Sequence, residues 1–426
     1  MVFDSPLNWF RPSQAPQCRV ALSSSPSLDE AVRDVVSQLG RRGDAQLALV
    51  FASTGFASDL QRLMPMLRCQ LRAEHWIGCA GGGVIGTNAD GRASELEQCP
   101  GLSVTLLTLP GASIATTGLS TESLPDLDGD ARDWQSWVGI EAANSRSQIV
   151  LIDPTNSQIN DLISGLDYAY PQAAKLGGIA APHNAPHGSL FLNDRVVTGA
   201  VIASIGGDWC LEPAVAQGCR PIGPVFAIEQ VQRNVLLELS HGDTKASPVA
   251  CLQKILADLD ESDRELVRHS LFLGIERSSL ALESLQDAAS SRAFLVRNLI
   301  GVDPSNGAVA VAERVRAGQN VQFHLREAEA SRQDALNQLK RVLNAPAAPV
   351  CFGLLMACMG RGSGLFGTPD GDISLARSVM PELPVAGAFC NGEIGPVAGN
   401  THLHGYAAAW GLLRHSPLKT NDSLGS

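Results

Sequence analysis

Several features that identify well-known classes of protein are scarce or missing in this chain of 426 residues. Its ten cysteines include no Cys-x-x-Cys pair, so they fit neither a disulfide framework nor a four-thiolate zinc site. Aromatic residues make up 5%, and the chain therefore offers few platforms on which bases or sugars could stack. Lys and Arg number 32 against 43 Asp and Glu, and the net charge of −11 disfavours nucleic-acid or membrane-surface partners.

Signals for export and for membrane insertion are also missing. The first residues lack the basic and apolar regions of a signal peptide. No later segment approaches the ~18 uninterrupted apolar residues that a membrane-spanning helix needs. We therefore expect a cytoplasmic protein that binds neither nucleic acid nor membrane.

The chain does contain enough apolar residues for a large buried core. Apolar residues make up 45% and charged residues 18%, which is typical of a folded globular protein. Its 41 glycines indicate closely packed strands and tight turns. The length predicts two or three compact units.

One pattern occurs three times along the chain and predicts its architecture. In each copy an apolar run is followed by a segment of helix length and by a second apolar run that ends in glycine or proline. The paired runs are residues 47–55 with 76–86, 149–156 with 175–184, and 351–364 with 385–396. A third strand is predicted after each pair, at residues 101–112, 188–207 and 401–413. We therefore predict an α/β fold with mixed sheets built from β-α-β repeats.

Helix signals flank these repeats and divide the chain. The spacing of Ser27 and Glu30 forms a capping box, which begins an amphipathic helix that ends at Gly40. Ser247 and Pro248 begin a pair of helices in an insertion. Because two repeats precede the insertion and one follows it, we predict two modules and a disordered tail, at residues 20–240, 241–414 and 415–426.

Five segments of the chain contain distinctive sequence runs: residues 199–206, 216–223, 233–239, 358–362 and 387–396. The last two contain the most specific runs, Cys-Met-Gly-Arg-Gly and Asn-Gly-Glu-Ile-Gly-Pro. These segments resemble the FIST family, named for F-box and intracellular signal transduction. The resemblance covers residues 15 to 414 and implies an N-terminal and a C-terminal FIST module.

This resemblance also implies a function. It implies a sensory protein that binds a small molecule, an amino acid or another small carboxylate. The sequence contains no kinase, cyclase or receiver segment, so we expect a separate signalling protein to carry the output.

Arg361 and Glu393 are the first candidates for a ligand site. Both follow neighbouring predicted strands of the third repeat, where open α/β sheets place a ligand crevice. Arg361 would bind a carboxylate, and Glu393, with Asn391 beside it, would accept hydrogen bonds from an ammonium group. The alternative is a salt bridge between Arg361 and Glu393 that ties the two strand ends together.

The second repeat carries polar residues at the corresponding strand ends. If the repeats are spatially equivalent, a second ligand-binding cluster forms there from Asp153, Asn156, His183, Asn184, Asp208 and Arg220. The alternative is turn chemistry, because Asp and Asn side chains next to proline commonly bond their own backbone.

A glycine-rich segment in the first repeat offers a third candidate. Gly81, Gly82 and Gly83 could present backbone N–H groups to a carboxylate or another small anion. The spacing matches neither the dinucleotide fingerprint nor a phosphate-binding P-loop, which disfavours a nucleotide. The alternative is that these glycines only permit a tight turn.

Metal binding receives less support from the sequence. His183 with His187, and His402 with His404, have spacings compatible with paired ligation. Prolines interrupt the first pair, and no acidic residue or cysteine adjoins the second. We expect neither a metal nor another cofactor.

Catalysis is the alternative to ligand sensing. A hydrolase or transferase could use Cys358 or Cys390 as nucleophile together with Glu393. The chain has no Gly-x-Ser-x-Gly motif, and the sequence does not place an imidazole beside either thiol. Both cysteines also fit buried positions in strands, and we name no catalytic residue.

Overall fold

The computed structural model describes residues 15–40, 44–277 and 293–417. This part of the chain forms three mixed sheets of six strands each and a fourth sheet of seven antiparallel strands, with helices packed on them. The predicted α/β class with mixed sheets is confirmed. Most of the predicted tail, from residue 418 onward, lies outside the described residues.

The first repeat alternates strands and helices, and then adds a hairpin and a returning strand. Parallel strands β2 and β3 form its centre, and β6 returns antiparallel to β2. Strand β1 pairs with β6. The elements are β1 (Gln17–Ser23), α1 (Leu28–Leu39), β2 (Ala45–Ser53), a 3₁₀ helix (Thr54–Asp59), α2 (Leu60–Arg68), β3 (Ala73–Gly81), β4 (Gly83–Thr87), β5 (Ala93–Glu97) and β6 (Leu102–Thr108).

Helix α1 confirms the predicted capping box. The Ser27 hydroxyl accepts a hydrogen bond from the Glu30 N–H, and Gly40 follows the last turn with a positive φ. Its apolar face is buried against the first sheet, in a core that includes Val32 and Val35.

The second repeat has the same order of elements. Strands β8 and β9 are parallel, β12 returns antiparallel to β8, and β7 pairs with β12. The elements are β7 (Ala112–Leu119), α3 (Ala131–Val138), a 3₁₀ helix (Ala142–Asn144), β8 (Ser147–Ile152), α4 (Ile159–Ala169), β9 (Ala174–Ile179), β10 (Leu190–Leu192), β11 (Arg195–Val197) and β12 (Ala200–Gly207).

An inserted sheet, the fourth sheet, separates the first strand of the third repeat from the rest of that repeat. The predicted helices after Ser247 are confirmed, but they pack on a sheet of seven strands that was not predicted. The elements are β13 (Trp209–Ala216), which belongs to the third repeat, and then β14 (Cys219–Gln232), β15 (Val235–His241), β16 (Thr244–Ala246), α5 (Pro248–Asp258), α6 (Glu261–Ser270), β17 (Leu271–Arg277), β18 (Ala293–Asp303), β19 (Ala308–Val311) and β20 (Asn320–Arg326).

The third repeat is completed after the insertion. Strands β21 and β22 are parallel, β25 returns antiparallel to β21, and β13 pairs with β25. The elements are α7 (Ala328–Leu343), β21 (Val350–Cys358), α8 (Gly362–Phe366), α9 (Gly371–Val379), β22 (Val385–Cys390), β23 (Glu393–Val397), β24 (Asn400–His404) and β25 (Ala408–His415). Among the described helices, none is both long and apolar enough to cross a membrane.

Each repeat places its hairpin in the sheet of another repeat. The β4–β5 hairpin pairs with β22 in the third sheet, β10–β11 with β3 in the first, and β23–β24 with β9 in the second. Several predicted single strands, such as residues 188–207, are therefore divided between two sheets. The exchange closes a ring of three sheets around one apolar core, to which β2, β8 and β21 all contribute.

The exchange predicts that the two halves of the chain stay together after a cut between them. A protease site introduced at Gly242 and Asp243, in the exposed turn between β15 and β16, gives the cut. The two fragments should co-elute in size-exclusion chromatography and unfold in one transition, because hairpins β4–β5 and β23–β24 remain paired across the cut. Fragments that separate without denaturant, while the uncut protein stays intact, would contradict this arrangement.

Candidate functional site

A large cleft lies between the ring of three sheets and the fourth sheet. Its volume is about 1460 Å³. Helix α4 and strand β24 form one side, the ends of β21 and β22 form the floor, and strands β17 to β19 form the opposite side. We call this the main cleft, and its polar lining includes Asp161, Arg277, Arg297, Glu313, Cys358, Asn391 and His402.

The floor of the main cleft is the place where the third repeat was expected to bind a ligand. Asn391 is exposed there, and its backbone N–H donates to the Ile179 carbonyl of the second repeat at 2.9 Å. Cys358 is half-buried, and its sulfur accepts a hydrogen bond from the Gly360 N–H at 3.4 Å. Hydrogen bonds between repeats therefore fix the backbone of this floor.

Arg361 does not line the main cleft, because it is buried beneath the floor. Its Nε and Nη2 atoms bind both oxygens of Asp372, at 2.8 and 2.7 Å, and Nη1 donates to the Tyr406 carbonyl. Both side chains of the ion pair are fully buried. The prediction that Arg361 clamps a ligand carboxylate therefore needs correction: Asp372 of α9 already occupies the paired donors. The salt-bridge alternative was closer, although Asp372 rather than Glu393 is the partner.

Glu393 is also fully buried and lies close to Cys358. One oxygen accepts a hydrogen bond from the Ala407 N–H at 2.9 Å, and the other has no hydrogen-bond partner among the described residues. Burial raises the pKa of Glu393 well above its ordinary value. Burial, together with the nearby Glu393 carboxyl, raises the pKa of Cys358 to about 11. Glu393 thus supports the floor from below instead of facing a ligand.

The exchanged hairpin of the first repeat supports the same ion pair from behind. Glu95 of β5 accepts a hydrogen bond from the Ile373 N–H of α9 at 2.8 Å, and Glu97 accepts one from the Ser363 N–H at 2.9 Å. Burial and the neighbouring Asp372 carboxylate raise the pKa of Glu95 to about 8. The sequence carried no signal for these contacts, since 266 or more residues separate the partners.

The fourth sheet brings two arginines to the main cleft. Arg297 of β18 directs Nε and Nη2 at one Glu313 oxygen, at 3.1 and 3.0 Å, and Arg277 of β17 lies 3.4 Å from the same oxygen. All three side chains remain partly exposed. Burial, with the nearby Arg297 and Arg277, lowers the pKa of His402 to about 4. Neither arginine was predicted as a site residue, because strands β17 and β18 were not predicted from the sequence.

Tyr406 connects the ring to the fourth sheet at the edge of the main cleft. Its backbone has a φ of +65°, which a non-glycine residue rarely adopts. The Arg326 guanidinium lies 4.0 Å from the centre of its ring, and the Phe272 ring packs edge-on. A Cβ atom at Gly360 would lie 2.8 Å from the Tyr406 ring, so only glycine permits this packing.

The second-repeat candidates fit the turn alternative better than a ligand site. Asp153 is buried, and its two oxygens accept from the Thr155 hydroxyl at 2.6 Å and from the Ser189 N–H at 2.8 Å. Asn156 accepts from the Gln158 N–H at 2.8 Å. His183 packs against the ring of His187 at 5.0 Å, and Asn184 is exposed.

Asp208 and Arg220 do not join that cluster, and the predicted grouping is wrong for both. Strand β12 runs antiparallel to β8, so Asp208, which follows β12, lies at the start of β8 and Asp153 at its end. Arg220 belongs to β14 of the fourth sheet, where it forms ion pairs with Asp263 and Glu327.

The glycine-rich segment is the point where the chain crosses from the first sheet to the third. The Gly82 N–H donates to the Phe389 carbonyl at 2.9 Å, so this group is not free to bind an anion. A Cβ atom at Gly83 would lie 2.5 Å from the Leu96 carbonyl oxygen. The turn alternative therefore describes Gly81, Gly82 and Gly83 better than an anion cradle.

His404 and Cys390 are buried in the sheets. His404 is buried, its Nε2 lies 3.0 Å from the Gly395 carbonyl, and burial lowers its pKa to about 3. Within residues 15–40, 44–277 and 293–417, no three His, Cys, Asp or Glu side chains are grouped to hold a metal. Cys390 is fully buried, and burial raises the pKa of its thiol well above the ordinary value.

Two domain models of one known family match the chain. Residues 46–242 match the FIST N domain, and residues 248–396 match the FIST C domain. The chain therefore belongs to the FIST family, whose domains are associated with signal transduction and sensory roles.

Proteins from mycobacteria and from a plant are similar to this chain in sequence. An uncharacterised protein of Mycobacterium tuberculosis is 29% identical over 399 residues, which cover 92% of this chain and 98% of the relative. An uncharacterised protein of Mycobacterium bovis is 31% identical over 62% of this chain and 66% of the relative. An F-box/LRR-repeat protein of Arabidopsis thaliana is 32% identical over 62% of this chain and 55% of the relative.

The buried ion pair beneath the floor predicts a large effect on stability. Changing Arg361 to Met should lower the free energy of unfolding by about 3–5 kcal/mol, because Asp372 is left buried without its partner. Denaturant titration followed by circular dichroism measures this. As a control, Arg62→Met removes an exposed arginine from its pair with Asp29 and should change stability little. Equal effects of the two changes would contradict a structural role for Arg361.

The raised pKa of Glu95 predicts a pH-dependent stability. In the unfolded chain this carboxyl loses its proton near pH 4.5, whereas in the folded protein it does so near pH 8. Between these values deprotonation favours the unfolded chain, so the free energy of unfolding falls as the pH rises, by up to about 1.4 kcal/mol per pH unit. In Glu95→Gln, whose amide oxygen can still accept from Ile373, the curve should be flatter between pH 5 and pH 8.

Denaturant titrations across that range measure the difference between wild type and Glu95→Gln. The change Glu74→Gln, at an exposed position, should leave the wild-type curve unchanged. Parallel curves for wild type and Glu95→Gln would show that Glu95 does not titrate in this range.

Proposed function

We propose that the protein is a cytoplasmic sensory protein that binds a small carboxylate, such as an amino acid, in the main cleft. The observation that carries the proposal is the pair of arginines, Arg277 and Arg297, which both contact the Glu313 carboxylate at the main cleft. Two guanidinium groups beside this carboxylate can bind a further carboxylate on that side of the main cleft.

The geometry of Arg297 leaves donors for a ligand. It directs Nε and Nη2 at Glu313 and Nη1 at the Val296 carbonyl. Since a guanidinium group has five N–H donors, both Nη atoms keep an N–H for another acceptor. Only 11% of the Arg297 side chain is exposed, so water screens its charge less than it screens a surface arginine. A carboxylate is the natural partner for such a planar donor.

The other sides of the main cleft suit the second charge of an amino acid. Asp161 of α4 is exposed there and could accept hydrogen bonds from an ammonium group. Asn391 on the floor offers both a donor and an acceptor. The volume of about 1460 Å³ exceeds what a single amino acid fills, so larger carboxylates also fit.

The position of the main cleft provides a route from binding to signalling. A ligand held by Arg297 and Asn391 would touch both the fourth sheet and the ring. Binding would then favour the relative placement of the two bodies that best fits the ligand, and a separate signalling protein would respond to it.

Catalysis by a cysteine receives less support. A thiol nucleophile reacts as the thiolate, and the raised pKa of Cys358 keeps it protonated at neutral pH. Cys390 is fully buried. We therefore retain ligand sensing and leave the hydrolase or transferase as the alternative.

A ligand screen combined with one arginine change tests the proposal. Thermal-shift measurements against amino acids and small mono- and dicarboxylates should find at least one that raises the melting temperature in a saturable way. Arg297→Lys should weaken binding of that compound roughly tenfold, because an ammonium group lacks the forked donor geometry. The charge beside Glu313 is kept, so the melting temperature of the free protein should change little.

Arg220→Lys is the matched control for this experiment. Arg220 lies in the same sheet and also bonds carboxylates, Asp263 and Glu327, but it lies outside the main cleft. Arg220→Lys should leave the dissociation constant of the compound found in the screen unaltered. If no carboxylate gives a saturable shift, or if both changes weaken binding equally, the carboxylate site at Arg297 is wrong. Turnover of a bound compound, lost in Cys358→Ser, would favour the enzyme.

A further inference from the structure

Two cysteines from opposite ends of the chain are in contact. Cys18 lies on β1 of the first sheet and Cys351 on β21 of the third, and their sulfur atoms are 3.7 Å apart. The positions are 333 residues apart in the sequence. Both side chains are half-buried, so small oxidants can reach the pair.

A β-bulge places Cys351 in this contact. Val350 pairs with Arg414 and Phe352 with Leu413, so Cys351 between them is skipped in the register with β25, although its thiol donates a hydrogen bond to the Leu413 carbonyl at 3.4 Å. A bulged residue changes the direction in which its side chain points. Strands β2 and β8 hold the same place in their own sheets, and they pair with β6 and β12 without a bulge. The bulge is thus a local feature of the strand that carries Cys351.

The contact is close to the geometry of a disulfide. The S–S bond is about 2.05 Å long, so the two sulfur atoms must approach by less than 2 Å. Strand β1 can accommodate such a shift, because among the described strands it lies at the edge of the first sheet and pairs with β6 alone.

We propose that Cys18 and Cys351 form a reversible disulfide site that hydrogen peroxide oxidises and a dithiol reduces. In the first step a thiolate sulfur attacks a peroxide oxygen, the O–O bond breaks, and the sulfur becomes a sulfenic acid while one water leaves. In the second step the other sulfur attacks the sulfenic sulfur, the S–S bond forms, the S–O bond breaks, and a second water leaves. Two thiols thus give up two electrons and two hydrogens to the peroxide.

Cys351 is the better candidate for the first attack. The hydrogen bond from the Cys18 thiol is the main cause that lowers the pKa of Cys351, whereas the same bond raises the pKa of Cys18. The disulfide would join the edge strand of the first sheet to a central strand of the third. In a reducing compartment the pair stays as two thiols, so the bond would form only under oxidative conditions.

Peptide mapping of the oxidised protein tests this site. The full chain is treated with hydrogen peroxide, the remaining thiols are alkylated, and the protein is digested without reduction. Mass spectrometry should find a peptide pair that links Cys18 to Cys351 and disappears after treatment with dithiothreitol. On a non-reducing gel the oxidised chain should migrate faster, because the bond closes a loop that includes most of the protein.

Variants distinguish this pair from general thiol oxidation. Cys18→Ser and Cys351→Ser should each abolish the linked peptide and the faster band. Cys69→Ser, which changes an exposed cysteine, should keep both. Melting curves of Cys18→Ser and Cys351→Ser test whether loss of the link reflects misfolding of these variants. Absence of the linked peptide at a peroxide dose that oxidises Cys69 would overturn the proposal, as would a faster band that persists in Cys18→Ser.

Discussion

Backbone pairing between repeats is the constraint on which this structure depends. In each of the three mixed sheets, the second strand of the central parallel pair would otherwise expose an unpaired edge, and a hairpin from another repeat covers it. No repeat therefore forms a complete sheet from its own residues. The same pairing brings the ends of β9 and β22 together, where the Asn391 N–H donates a hydrogen bond to the Ile179 carbonyl. The floor of the main cleft is thus held by the fold as a whole and not by one loop.

The buried charges beneath that floor follow from the exchange. Hairpin β4–β5 carries Glu95 to the Arg361–Asp372 pair, and Glu393 lies nearby on the other side. One guanidinium group cannot balance three ionised carboxylates in a site from which water is excluded. The raised pKa values of Glu95 and Glu393 resolve this imbalance, because two neutral acids leave Asp372 as the only counter-ion that Arg361 needs. Arg361, which follows β21, therefore holds α9 against the end of that strand.

Local patterns predicted the repeats, the class of fold and the capped helix α1, because helix caps and apolar runs act over a few residues. They could not predict which sheet each strand joins. Residues 76–86 form one apolar run, yet the chain passes from the first sheet to the third at Gly82. This change of sheet depends on the pairing of β4 with β22, some 300 residues away. For the same reason the partner of Arg361 was misassigned. Arg361 and Glu393 both follow strands, but the residue that forms the ion pair with Arg361 is Asp372 of α9. Arg277 and Arg297 of the main cleft lie on β17 and β18, which belong to the inserted fourth sheet that was not predicted.

The two sides of the main cleft differ in how they are held, and this difference bears on the proposed signalling. Backbone hydrogen bonds between sheets fix the floor, whereas side-chain contacts join the inserted fourth sheet to the ring at the edge of the cleft. The Gln217 amide bonds the backbone of Phe294 and Val296, and Arg326 stacks on Tyr406. A ligand that touches both Arg297 and Asn391 would therefore contact both parts at once. The left-handed backbone of Tyr406 lies at the junction between them, which is where the proposed ligand-dependent change in their relative placement would act.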